Sequence, residues 1–289
     1  MEWLAVNIGT DRETAEPIAE LLSRYAPSGV AIDLGSGGES HPVTVIAYLV
    51  VDDTLSDRVR ELEEALAHLQ HIQPISDPVY ERVADQDWMV RWKESLPVLH
   101  VGAHLVVKPS WRDYAAAPDE TVIEIDPGQA FGSGFHPTTR LCLQALERRI
   151  APGMRVLDLG TGSGILAIAA AKLAAGHVQA VDHNADAVAV ARANLRLNGV
   201  QETVRLQHDS LEDLDATYDL ILANLLAHIL VRMAGEGLAD RLRPSGIVIA
   251  AGILEDQRAE VMTAFQEHYL EIVDVLRADD WVTLVAEVA

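Results

Sequence analysis

Apolar positions along the chain change period partway through. Over the first seventy-odd residues, strand-like runs at Trp3 to Ile8, Gly29 to Leu34 and Pro42 to Val51 alternate with helical stretches at Glu13 to Tyr25 and Leu55 to Leu69. A further strand is expected within Ile72 to Val83. The order βαββαβ is that of a small ferredoxin-like α+β unit. From Met154 onward each short apolar run is followed by a helix-length segment or a turn. The runs are Met154 to Leu157, His177 to Val181, Val204 to His208 and Tyr218 to Ala223, and the helices Ile165 to Ala175 and Ala185 to Asn198, the latter stopped at Asn198-Gly199. Strands alternating with helices predict a parallel, doubly wound sheet.

Three segments are therefore expected: a first domain over 1–80, a bridging region over 81–125, and a second domain over 126–289. In the bridge, Trp88 and Trp92 share one side if Asp87 to Glu94 is helical, which suits packing. Lys108-Pro-Ser-Trp111 reads as a strand end and turn, and Thr121 to Ile125 as a strand. Asp126-Pro-Gly-Gln-Ala-Phe-Gly-Ser-Gly-Phe-His-Pro-Thr-Thr139 follows, with three glycines, two prolines and a histidine in fourteen residues. It reads as a shaped loop able to fold over a ligand, with Thr138 and Thr139 expected to cap the next helix.

The segment richest in chemistry is Asp158-Leu-Gly-Thr-Gly-Ser-Gly164, set between a strand and a helix of small residues. Its glycines allow a sharp turn and a close ligand approach, and the helix behind it presents unpaired backbone N–H groups. A dinucleotide fingerprint places its third glycine at the sixth position, which here is Ile165. Asp158 adds negative charge beside the loop, which suits the ammonium and sulfonium of S-adenosylmethionine better than a pyrophosphate. Asp182 ends the next strand, twenty-two residues after Gly160. A carboxylate there can accept both hydroxyls of a ribose. Its competing role, capping the following helix, falls more naturally to Asn184 or Asp186. Asp209 is placed to accept from an adenine amino group, and Asn224 ends the fourth strand. Parallel sheets bind ligands beyond the carboxyl ends of their strands, so Gly160, Asp182, Asp209 and Asn224 should face one crevice.

At 289 residues the chain is long enough for two domains. A net charge of −22 argues against nucleic acid or an anionic membrane as a direct partner and favours a basic protein. The first seventy residues hold four arginines (Arg12, Arg24, Arg58, Arg60) against thirteen Asp and Glu, as expected of a domain that grips such a substrate. One cysteine, Cys142, excludes an internal disulfide and a cysteine-rich metal site, and its amphipathic setting reads as core. No metal is expected. Runs such as Val43 to Val51 and Ile165 to Ala171 are too short to span a bilayer, and no basic, apolar leader is visible, so a soluble cytoplasmic protein is expected.

Taken together, Asp126 to Thr139, Asp158 to Ala167, Ala223-Asn-Leu-Leu-Ala-His-Ile-Leu230 and Gly252-Ile-Leu254 resemble the PrmA family, the methyltransferases of ribosomal large-subunit protein eleven, and the resemblance spans nearly the whole chain. It implies a seven-stranded Rossmann-like S-adenosylmethionine methyltransferase domain behind the ferredoxin-like one. It implies a protein-lysine N-methyltransferase acting on lysine ε-amines and the N-terminal α-amine of that ribosomal protein, which the first domain recognises. Thr139, Gly160, Asp182 and Asn224 are the implied cofactor contacts, beside Asp158, Gly162 and Asp209 from the residues themselves. Asn224 is the expected catalytic residue, similar to the asparagine of the Asn-Pro-Pro-Tyr motif of other N-methyltransferases, with Leu225-Leu226-Ala227 replacing the rest. The family loop usually reads Gly-Thr-Gly-Thr-His, whereas Ser133 and Phe135 stand here. No general base is evident, and His136 is assigned hydrogen bonds that shape its loop. The alternatives are a methyltransferase of another protein or a small molecule, a non-catalytic cofactor-binding assembly protein, and a nicotinamide oxidoreductase, which Ile165 disfavours.

Overall fold

The structure, a computed structural model, describes residues 2–10, 12–23, 25–26, 30–33, 43–70, 75–84, 96–126, 132 and 134–288. Trp88 and Trp92, most of the loop after Asp126, and Ser133 lie outside the described residues. The chain divides into two compact units, 1–96 and 97–289. Residues 97–125, read from sequence as part of a bridge, thus belong with the second unit.

In the first unit β1 (Glu2–Thr10), α1 (Arg12–Ser23), β2 (Val30–Asp33), β3 (Val43–Val50), α2 (Leu55–Gln70) and β4 (Val79–Ala84) follow in order. The sheet runs β2-β3-β1-β4 with every neighbour antiparallel, which is the ferredoxin-like arrangement. Alternate residues of β1 and β3, Val6, Ile8, Val43, Val45 and Leu49, join Ile18 and Leu22 of α1 and Leu62 and Leu66 of α2 in one core. Period-two strands facing period-3.6 helices produce this result.

The second unit opens with a three-stranded sheet of β5 (Leu99–Val101), β6 (Leu105–Pro109) and β7 (Thr121–Ile125). Next come α3 (Pro137–Arg149), β8 (Arg155–Leu159), α4 (Ile165–Lys172), β9 (His177–Val181), α5 (Ala185–Leu197), β10 (Val204–Gln207), β11 (Tyr218–Asn224) and α6 (Ala227–Gly235). The unit ends with β12 (Leu242–Leu254), α7 (Arg258–Glu267), β13 (Leu270–Ala278) and β14 (Trp281–Val288). The seven-stranded sheet runs β10-β9-β8-β11-β12-β14-β13, parallel except for β14. Its central strands are buried on both faces, and the edge strands β10 and β13 are partly exposed. On β11, Leu220 and Leu222 join the core shared with α3 and α4, while Ile221 and Ala223 face Leu230 of α6 and Phe265 of α7. Each such fully buried aliphatic side chain contributes about 1.5–3 kcal/mol.

Three local differences from the sequence reading have physical causes. The helix from Ile165 stops at Lys172 because Ala174 turns to a left-handed φ of 74°. The cap of α3 is His136, not Thr138 or Thr139. Pro137 fills the first helical position and holds His136 extended, so His136 Nδ1 accepts from the Thr138 N–H at 3.3 Å. Asn194 of α5 and Asn198, its C-cap, clasp the backbone beyond them. Asn198 bonds both the N–H and the carbonyl of Glu124 (2.9 and 2.6 Å), and Asn194 does the same at Asp126 (2.9 and 3.1 Å).

Candidate functional site

Five neighbouring strands end on one cavity of about 500 Å³, a volume suited to a small-molecule ligand. Gly160 and Gly162 follow β8, Asp182 and His183 follow β9, Asn224 ends β11, Gly252 lies in β12 and Trp281 opens β14, and all line it. The sequence predicts this convergence for Gly160, Asp182 and Asn224, and also for Asp209, which does not line the cavity.

The glycine loop is shaped by its neighbour Leu225. Gly160 has φ of 66°, and a Cβ there would lie 2.6 Å from Leu225 Cδ2. Gly252, with φ of 85°, would drive a Cβ into the Leu225 carbonyl. Leu225 is thus held between two glycines, and its N–H donates to the Ala251 carbonyl at 3.0 Å. This fixes the backbone that carries Asn224. The loop before α3 is tied to the same place: Ser163 Oγ donates to the Gly132 carbonyl at 2.5 Å, and Asn194 Nδ2 donates to the Ser163 carbonyl at 2.8 Å.

Asp182 is 7% exposed. Its Oδ2 accepts the Gly162 N–H and its Oδ1 the Asn184 N–H, each at 2.9 Å. Each oxygen keeps a second lone pair for a ligand. The helix cap belongs to Asn184, whose side chain accepts from the Asp186 N–H at 2.8 Å. Asn224 donates through Nδ2 to Thr139 Oγ1 at 3.3 Å. Oδ1 is then the acceptor left for an incoming group. Thr139 is fully buried, so it supports Asn224 from behind the wall.

Like Thr139, two more expected contacts do not line the cavity. Asp158 does not line the cavity; it lies beneath the glycine loop, 1% exposed. Its Oδ2 accepts from Thr161 Oγ1 at 2.6 Å and the Ala167 N–H at 3.1 Å, while Oδ1 has no partner among the described residues. Burial pushes its carboxyl up to about 7, against the pull of those two bonds and with the charge of Asp182 adding to the rise. Asp209 is half-buried and also off the cavity wall, because Gln207 Nε2 draws its Oδ2 in at 2.7 Å. Gln207 is itself held by Gln179, and Gln179 by the Tyr218 hydroxyl, at 2.7 and 3.0 Å.

Leu226, Ile229 and Val190 supply apolar wall that the motif reading passed over, and Trp281 carries no motif at all. The Trp281 ring meets His136 edge to face, with centroids 4.8 Å apart at 71°. Burial, then the nearby Arg140 charge, hold the His136 ring below the usual imidazole range. Cys142 is buried, and burial with the Asp158 charge pushes its thiol up, so it is no nucleophile. Among the described residues no three His, Cys, Asp or Glu side chains gather as a metal site, and no helix is long and apolar enough to cross a membrane.

Comparison with known proteins agrees with this geometry. The sequence model of one family, described as ribosomal protein L11 methyltransferase (PrmA), matches residues 2–288. The ribosomal protein L11 methyltransferase of Chloroflexus aurantiacus is 40% identical, covering 98% of this chain and 97% of the relative. That of Pelotomaculum thermopropionicum is 38% identical, covering 99% of each. The crystal structure of ribosomal protein L11 methylase from Lactobacillus delbrueckii subsp. bulgaricus superposes with a TM-score of 0.63 at 39% identity, covering 66% of this chain and 98% of its own. This chain belongs to the ribosomal protein L11 methyltransferase family.

Proposed function

We propose that the chain transfers methyl groups from S-adenosylmethionine to amines of ribosomal protein L11, namely lysine ε-amines and the N-terminal α-amine, in the cytoplasm. One observation carries the reading: Gly160, Asp182 and Asn224 meet on a single cavity in a chain of that family. The residues present fit the cofactor. Gly160 admits Leu225 Cδ2 where a Cβ would lie and so keeps the shape of the loop, and Asp182, while accepting the Gly162 N–H, keeps carboxylate lone pairs for ribose hydroxyls. Asp158 supports the loop from below and Thr139 supports Asn224, while Asp209, turned toward Gln207, stays off the cavity wall.

When bound, S-adenosylmethionine supplies a methyl group activated by its sulfonium. The chain has to deliver a neutral amine in line with it. A free lysine has a pKa of about 10.4, so less than about one in a thousand is neutral at physiological pH. The apolar wall of Leu225, Leu226 and Ile229 disfavours the charged form and lowers that barrier. Asn224 Oδ1 accepts an amine N–H and aims the nitrogen lone pair. The proton leaves to solvent. The acidic first domain, residues 1–80, grips the basic substrate by charge complementarity, which speeds encounter as well as selecting the partner.

Calorimetry with S-adenosylhomocysteine, paired with a transfer assay on L11, tests these roles. Asp182→Ala weakens binding about tenfold or more, since a hydrogen bond to a charged group contributes about 1.5–3 kcal/mol. Asn224→Ala lowers kcat more than it lowers cofactor affinity. Unchanged affinity in Asp182→Ala removes the ribose assignment, and an unchanged kcat in Asn224→Ala removes the catalytic one.

A further inference from the structure

The strand order gives the cavity a direction. Asp182 follows β9, Gly160 follows β8, Asn224 ends β11, Gly252 lies in β12 and Trp281 opens β14, and these five strands are consecutive in the sheet. At about 4.8 Å per strand, the backbones of Asp182 and Trp281 stand roughly 19 Å apart with Asn224 midway. With a ribose at Asp182, as proposed above, Trp281 lies beyond Asn224, across it from the ribose.

Trp281 is half-buried, packed against the sheet core on one side and lining the cavity on the other. The edge-to-face contact with His136 fixes the indole, and His136 is itself fixed as the cap of α3, with its Nδ1 2.7 Å from Thr138 Oγ1. Burial keeps the His136 ring toward its neutral form. The aromatic wall therefore presents no charge that would repel a cation.

Asn224 and this wall recognise different things. Asn224 Oδ1 needs an N–H, whereas an indole face attracts positive charge and suits alkylated ammonium groups especially well. In each transfer the amine lone pair forms the new N–C bond, and the methyl C–S bond breaks with its electron pair staying on sulfur. The ammonium so formed loses one proton to solvent before it can react again. A primary amine offers Asn224 two N–H groups, a secondary amine one, and a tertiary amine none. In the last transfer the charge developing on nitrogen has no N–H through which Asn224 can stabilise it, and the indole remains.

We propose that Trp281, positioned by His136, is a specificity-determining residue that receives the alkylated acceptor nitrogen and lets transfer continue past the first methyl group. This rests on the methyltransferase reading with ribose at Asp182.

The test follows the methylation of folded L11 by intact mass under wild-type, Trp281→Leu and Trp281→Phe chains, with S-adenosylhomocysteine affinity measured in parallel. Trp281→Leu lowers the rate of the last transfer relative to the first by about tenfold, the equivalent of roughly 1.4 kcal/mol, so partly methylated L11 accumulates. Trp281→Phe, which keeps an aromatic face, restores most of the ratio. Equal slowing of all transfers in Trp281→Leu means a packing role and overturns the proposal, as does an unchanged ratio. Loss of S-adenosylhomocysteine affinity overturns it too, by placing Trp281 on the cofactor side. A wild-type chain that adds no methyl group to L11 fails earlier, at the function itself, and takes this proposal with it.

Discussion

Asp158→Asn should stabilise the second unit, and do so increasingly as pH rises. The Asp158 carboxyl is completely buried, and ionises near 7 in the folded chain against a reference of 3.8. The folded state therefore holds this proton more tightly than the unfolded chain. Its contribution to stability is intact below about pH 4 and is lost as pH rises through about 7, a total of roughly 4 kcal/mol. Asparagine keeps the hydrogen bonds, because a single oxygen, Oδ2, accepts from both Thr161 and Ala167. The new amide nitrogen takes the place of Oδ1, which has no partner among the described residues, so its buried N–H groups cost about 1–3 kcal/mol at every pH. The net gain at about pH 8 is then roughly 1–3 kcal/mol, and the variant-minus-wild-type difference grows by roughly 3 kcal/mol between about pH 5 and about pH 8. Urea unfolding read by amide exchange in β8 and β11 peptides measures that difference within the relevant unit. A difference that does not change with pH would mean that Asp158 does not titrate differently on folding.

Two further outcomes are expected. Gly160→Ala should weaken S-adenosylhomocysteine binding by pushing Leu225 aside, and Leu225→Ala should recover part of the loss; a double-mutant cycle by calorimetry should show coupling of about 0.5–3 kcal/mol, and strict additivity would mean that the two do not touch. Residues 97–289, which carry their own core, should bind S-adenosylhomocysteine as the full chain does yet methylate L11 far more slowly; methylation at the full rate would remove the gripping role of the first domain.

Much of this was legible because it depends on local pattern. The βαββαβ order of the first unit, the strands ending at Asp182 and Asn224, and the loop from Asp158 to Gly164 follow from periodicity and from glycine's access to left-handed backbone. Side-chain direction was harder to read. Asp158 and Asp209 sit at strand ends that face the cavity, yet one points under the loop and the other toward Gln207, because each finds hydrogen-bond donors there. Thr138 looked like a cap, but Pro137 passes that role to His136. Trp281 lies more than fifty residues beyond Asn224 and reaches the cavity because β14 runs antiparallel, which brings its first residue to the end where the parallel strands finish. Nothing in the sequence around it marks that reversal. Asn194 and Asn198 were read as helix residues and a stop; their backbone clasps depend on how β7 packs beside α5, a long-range contact.

The most direct test is intact-mass spectrometry of purified ribosomal protein L11 incubated with this chain and S-adenosylmethionine. Successive increases of one methyl mass on L11 are expected, absent when the cofactor is omitted and strongly reduced with Asn224→Ala. An L11 mass that does not change, while the chain still binds S-adenosylhomocysteine, would contradict the proposed substrate.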